Sequence, residues 1–90
     1  MYVAVHHQID DPDTYWNIVR EGAANLPAGI SLHHCIPSPD GKQAMCVWEG
    51  DSLGAVKDFV ESAVGSVSRN EYFEAEAREG VHLPSAVSTG

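Results

Sequence analysis

The side chains most able to do chemistry in this chain are its five histidines and two cysteines, and all but His82 fall in three short segments. Ser31-Leu32-His33-His34-Cys35 and Met45-Cys46-Val47-Trp48-Glu49 flank the turn Pro37-Ser38-Pro39-Asp40-Gly41-Lys42, and His6-His7 lies near the start. Imidazole and thiolate together suit borderline metals such as zinc, nickel, copper or cobalt. A thiolate beside an imidazole is also the pattern of a nucleophilic site, and His33 stands two residues from Cys35. No Cys-x-x-Cys, His-Glu-x-x-His or His-x-His element reinforces the metal reading, and no nucleophile elbow, phosphate-cradling glycine loop or dinucleotide fingerprint is present. Any site has to be assembled by strands lying side by side.

The patterning supplies such strands. Tyr2 to Ile9 is β-branched and alternating, which predicts a strand. Asp11-Pro12 then opens a helix, Asp as N-cap and Pro at the first helical position, with Trp16, Val19 and Ala23 recurring at helical spacing beside Tyr15, Ile18 and Gly22. Asn25, Pro27 and Gly29 stop it. Ile30 to Ile36 and Gln43 to Glu49 read as two strands joined through Pro39-Asp40-Gly41, a strong turn signal. Asp51 or Ser52 caps a second helix whose Leu53, Val56, Val60, Ala63 and Val64 share a face extended by Phe59, and Gly65 ends it. Asn70 to Ala77 alternates and is read as a fourth strand. Gly80 to Gly90 reads as an arm or loose tail, so the expected division is one domain over 1–80 and a tail over 81–90.

The order β-α-β-β-α-β is the ferredoxin-like, α+β pattern. Right-handed crossovers place the strands in the order 4-1-3-2 with both helices on one face. Val3, Val5 and Ile9 are expected to meet the helices, with Phe73 from the last strand. Tyr2, Ala4, His6 and Gln8 are expected on the bare face, with Tyr72, Glu74 and Glu76. Taking Ile30, Leu32, His34 and Ile36 as the apolar set of the second strand sends Ser31, His33 and Cys35 to the bare face. In the third strand Ala44, Cys46 and Trp48 form one set and Met45, Val47 and Glu49 the other, hairpin register deciding which faces inward. On this reading His6, His33 and Cys35 share the bare face, and Cys46 or Glu49 joins them from the strand between. His7 and His34 share parity with the helix-facing residues and read as satisfied core or strand-end histidines.

A domain of 90 residues buries only about 60–65% of its unfolded surface. A second copy covering the bare face, as in a dimeric α/β barrel, is the natural remedy, and a homodimer is expected. Thirteen acidic residues against five Lys and Arg give a formal charge of −8, which argues against nucleic acid or anionic membrane as partner. No apolar run approaches a membrane span, and no secretory signal is visible. The cytoplasm is therefore the expected compartment, and the cysteines are expected as reduced thiols.

At the hairpin the residues resemble a family of small bacterial ferredoxin-like proteins, mostly of unknown function, that includes a nickel-binding member. That family shows a Leu/Trp-x-His-Ser-Tyr strand, a short turn, and a Cys-Ile/Val-Tyr-Glu-Ala strand running into an Asp-capped helix. Here the stretch is Leu32-His33-His34-Cys35 and then Cys46-Val47-Trp48-Glu49-Gly50-Asp51. His33, Cys46 and Glu49 match, Cys35 replaces the aromatic, Gly50 replaces the alanine, and the likeness covers roughly the middle third of the chain. The first helix, opening with Asp11-Pro12, looks more like the wider dimeric α/β-barrel superfamily. The resemblance implies the fold, the dimer and a transition metal.

Three functions follow as expectations. The first is a homodimer that handles or senses nickel or zinc through His33 and Cys46, with His6 and Cys35. The second is a cofactor-independent dimeric-barrel enzyme of monooxygenase or isomerase type, holding a small organic substrate between sheet and helices near His6, His33 and Tyr72 in a pocket of several hundred Å³. The third is a structural or regulatory dimer without ligand.

Overall fold

The computed structural model describes residues 1–76; the expected tail lies outside them. The elements are β1 (Tyr2–Ile9), α1 (Pro12–Ala23), β2 (Ser31–Pro37), β3 (Gln43–Glu49), α2 (Leu53–Val64) and β4 (Ser68–Ala75). All neighbouring strands are antiparallel, in the order β2-β3-β1-β4. This is the ferredoxin-like α+β fold that the element order predicts.

Local chemistry sets the helix ends and the hairpin turn as the sequence predicts, whereas the last strand, expected over Asn70 to Ala77, runs from Ser68 to Ala75. The Asp11 side chain caps α1, accepting from the Thr14 N–H at 3.2 Å and the Thr14 hydroxyl at 2.8 Å, with Pro12 following at the start of the helix. Ser52 caps α2 through the Ala55 N–H at 3.0 Å, and the Gly65 N–H closes its end on the Glu61 carbonyl. In the β2–β3 turn the Ser38 hydroxyl donates to Asp40 at 2.7 Å, and the Lys42 N–H donates to the same carboxyl oxygen at 3.0 Å. These bonds hold the Asp40 carboxyl below its ordinary value.

The helices cover one face of the sheet. Val3, Val5 and Ile9 of β1 and Ala44, Cys46 and Trp48 of β3 are buried against Tyr15 of α1 and Val56, Val60 and Val64 of α2. Each such valine removes apolar surface worth about 1.5–3 kcal/mol. The inward set of β3 is thus settled by its pairing: Val3 opposes Trp48 and Val5 opposes Cys46.

Two strands differ from the expected facing. In β4 the parity is reversed: Val5 opposes Tyr72 and Ala4 opposes Phe73. Tyr72 and Glu74 therefore share the helix-side parity, and Phe73 is 58% exposed on the open face. Apolarity was a poor guide in this edge strand, because the phenol ring packs against the core while its hydroxyl reaches Glu61 on α2 at 2.5 Å. In β2 the register shifts between Leu32 and His34. Leu32 opposes Trp48, His34 opposes Val47 and Cys35 opposes Cys46. One extra residue, a β-bulge, flips the parity of everything after it. Cys35 consequently faces the helices, while Ile36, expected inside, is 63% exposed on the open face.

The hairpin turn is tied to α1 by the Trp16 indole, whose N–H donates to the Gly41 carbonyl at 2.9 Å. Gly41 has φ +73°, and a Cβ there would lie 3.2 Å from the indole nitrogen; Gly29 has φ +85° with open space around it. Gly41→Ala should cost about 1–3 kcal/mol, and more than Gly29→Ala, which meets only the backbone strain. Urea denaturation of the two variants checks this; equal losses would mean that the indole contact adds nothing.

Candidate functional site

The expected ligand set is divided by the sheet. His6 and His33 project from the open face. There His6 Nε2 lies 3.1 Å from the Gln43 side-chain oxygen, and His33 Nε2 lies 2.9 Å from a Glu49 carboxylate oxygen, beside the Tyr2 ring. Cys35 and Cys46 face the helices, their sulfurs 3.3 Å apart. The bulge corrects the placement of Cys35 with His33. Among the described residues no three His, Cys, Asp or Glu side chains gather as a group that could hold a metal ion.

The convergence of polar groups lies instead under the helices. Tyr15, Ile18 and Gly22 of α1, Phe59, Val60 and Ala63 of α2, and His7, Cys35, Cys46 and Trp48 of the sheet line a cavity of about 50 Å³, within a wider cleft of about 470 Å³ counted out to solvent. The enclosed part holds on the order of three to five water-sized centres, well short of the several-hundred-Å³ pocket expected for a substrate.

His7 is its most strongly positioned polar residue. It is 1% exposed and stands in β1 between Ala44 and Asn70. Its Nδ1 lies 2.6 Å from Asn70 Oδ1. Asn70 Nδ2 donates to Glu61 at 2.8 Å, and Ser68 Oγ donates to Asn70 Oδ1 at 2.8 Å. With its NH₂ spent on the carboxylate, Asn70 offers oxygen to His7, so Nδ1 carries the proton and Nε2 keeps the lone pair. Burial is the main cause that lowers the His7 pKa from its ordinary 6.5, against the Asn70 bond that raises it. A neutral imidazole with its basic nitrogen buried is the result. Among the described residues neither His7 Nε2 nor the Trp48 indole nitrogen has a hydrogen-bond partner, though both are buried and both rings line the cavity.

The surrounding groups keep that nitrogen in place. Tyr72 and Asn70 both donate to Glu61, holding its carboxyl below the ordinary value. The same burial and the same Glu61 contact push the Tyr72 phenol up. Tyr15 packs its ring 5.5 Å from the His7 ring, and its phenol is pushed up by burial and by the thiols beside it. Both aromatic hydroxyls are thus protonated donors at neutral pH.

The sequence reads His7 as a satisfied core or strand-end histidine; the structure buries it in the core and pairs one of its two nitrogens. Its parity with Val3 and Val5 signalled burial. The signal for Asn70 and Glu61 as its supports is the register of β4, which alternation alone did not fix. No family model matches the chain, and none of the curated proteins does. The nickel-binding resemblance therefore gains no support from them.

The lowered His7 pKa has a defined sign. The folded state binds this proton more weakly than the unfolded chain, so the contribution to stability is complete above the ordinary 6.5 and falls as pH drops toward the folded pKa. His7→Asn keeps an amide donor for Asn70 and removes the titration. The wild type should lose more thermal stability than His7→Asn between about pH 7 and pH 5, and the imidazole protons followed by NMR should show a midpoint below 6.5. A midpoint at or above that value would contradict the buried neutral ring.

Proposed function

We propose that this chain is a cofactor-independent enzyme of the dimeric α/β-barrel kind. In it His7 Nε2 acts as general base on a small organic molecule bound between sheet and helices, in an isomerase-type proton transfer. The observation that carries the reading is the buried imidazole whose Nδ1–H is held by the Asn70–Glu61 pair, while Nε2 has no partner among the described residues and the ring lines an apolar cavity. A base with one nitrogen fixed by an oriented carboxamide and the other left unpaired is the arrangement that proton abstraction needs. Tyr15 and the Trp48 indole supply donors nearby, and the enclosed volume favours a ligand, or the reacting end of one, with only a few heavy atoms.

A homodimer belongs to this proposal. The open face carries Ile36 and Phe73 on its two edge strands and Met45 on a strand between them, 63%, 58% and 42% exposed. Scattered apolar residues are ordinary on a surface, but a set on one sheet face is the mark of an interface. A second copy packed face to face would cover them.

Two experiments test these statements. Screening fragments of a few heavy atoms by NMR should find molecules that shift the His7 imidazole signals together with those of Tyr15 and Trp48. Asn70→Ala should abolish the Nδ1–H signal and weaken those shifts by about tenfold. Fragments that shift only residues outside the cavity would overturn the base assignment. In sedimentation the wild type should run as a dimer and Phe73→Glu as a monomer with unchanged helix content; a monomeric wild type at micromolar concentration would refute the dimer.

A further inference from the structure

Cys35 and Cys46 form a second reactive pair on the wall of the same cavity. They are directly opposed in neighbouring antiparallel strands, and both are free thiols with sulfurs 3.3 Å apart. Opposed residues in such a ladder have Cα atoms about 4.5–5.5 Å apart, inside the 4.4–6.8 Å range that a disulfide spans. Small side-chain rotations can close the sulfurs to bonding distance without moving the strands. The two are not equivalent. Cys46 is 1% exposed, whereas Cys35 is half-buried. Burial and the neighbouring sulfur push the Cys46 thiol up, while the hydrogen bond from Cys46 lowers Cys35. Cys35 is thus the better thiolate and the more accessible one, with its partner already seated behind it. The bulge between Leu32 and His34 is what aims Cys35 here; without the extra residue it would point to the open face. Bulges recur next to functional sites because they re-aim one side chain.

We propose that Cys35 and Cys46 are a dithiol redox site that reduces a small hydroperoxide entering the cavity, with Cys35 as the attacking residue and Cys46 as the resolving one. Cys35 gives its proton to water at the cavity mouth, and the thiolate attacks the terminal peroxide oxygen as the O–O bond breaks. The departing alkoxide, or hydroxide for hydrogen peroxide, takes a proton from water at the cavity mouth. Cys35 becomes a sulfenic acid. The Cys46 sulfur then attacks Cys35, the S–S bond forms, the S–O bond breaks, and the hydroxyl leaves as water with the Cys46 proton. Two thiols are oxidised to a disulfide and one hydroperoxide is reduced to an alcohol and water. An external dithiol restores the pair by exchange. The redox step stands on the sulfur geometry; only the route of entry rests on the cavity being open to small molecules, as proposed above.

The test uses the reduced full chain with hydrogen peroxide and, separately, tert-butyl hydroperoxide. Intact mass should fall by two hydrogens, both thiols should disappear without intermolecular cross-links, and dithiothreitol should reverse the change. Oxidation should run faster than that of free cysteine at the same pH. Cys46→Ser should stop at a Cys35 sulfenic acid, one oxygen heavier and trapped by dimedone, whereas Cys35→Ser should leave Cys46 unreacted. Thiols that survive, or that react no faster than free cysteine, would reduce the pair to core packing and overturn the proposal. A disulfide that forms although no fragment reaches His7 upholds the redox site while refuting the base reading. Fragment binding without disulfide formation does the opposite.

Discussion

A buried imidazole has to be hydrogen-bonded, and here the register of the central strand decides with what. β1 is paired on both sides, so each residue from Tyr2 to Gln8 has a fixed opposite on β3 and on β4. His7 meets Ala44 on one side and Asn70 on the other. Alanine leaves room for the ring, and asparagine supplies the acceptor for Nδ1. A one-residue slip of β4 would put Arg69 or Glu71 opposite His7 and turn Asn70 to the other face. The buried ring would then lose its partner at a cost of about 1–3 kcal/mol, which makes the polar network a device for holding register as well as a support for the site.

That constraint spreads outward through α2. Glu61 accepts from both Asn70 and Tyr72, and Ser68 closes on the Val64 carbonyl at 3.0 Å. The edge strand is thereby fastened to the helix by side chains as well as by burial. Val56, Val60 and Val64 supply the apolar part of the same contact. α1 is held differently, by Tyr15 in the core and by the Trp16 indole on the hairpin turn. The gap between the two attachments is where the cavity opens, beside Gly22 and Ala23 of α1 and Ala63 of α2, residues too small to fill it.

Much of this was legible in the sequence. The caps at Asp11 and Ser52, the Pro39-Asp40-Gly41 turn, the strand order and the inward face of β1 follow from residue types and periods. The two misplaced faces have different physical causes. β4 is an edge strand with amphiphilic residues on both sides, so Tyr72 and Phe73 gave no reliable parity; the phenol went inward because Glu61 was there to receive its hydroxyl, and that partner is eleven residues away. The bulge in β2 has no composition signal at all, since Leu32-His33-His34-Cys35 contains neither glycine nor proline. Its effect was nevertheless decisive, because it parted Cys35 from His33 and joined it to Cys46. The ligand cluster expected at the hairpin depended on a parity that the extra residue broke.

The cavity then collects what the fold leaves unsatisfied. An orphaned buried donor or acceptor costs about 1–3 kcal/mol, and a domain of this size has a total stability on the order of 5–15 kcal/mol. His7 Nε2 and the Trp48 indole nitrogen are two such groups. Together they would forfeit a sizeable fraction of that stability if nothing ever paired with them, and apolar replacements for both were available to a packed core. They stand with the dithiol on the wall of a cavity that α1 and α2 leave over the sheet, and a small molecule bound there, as proposed, would recover part of that cost by pairing them. The Asn70–Glu61 pair holds the register of β4 and the tautomer of His7 at once, so the place of the proton on Nδ1 follows from the same contacts that fix the strand.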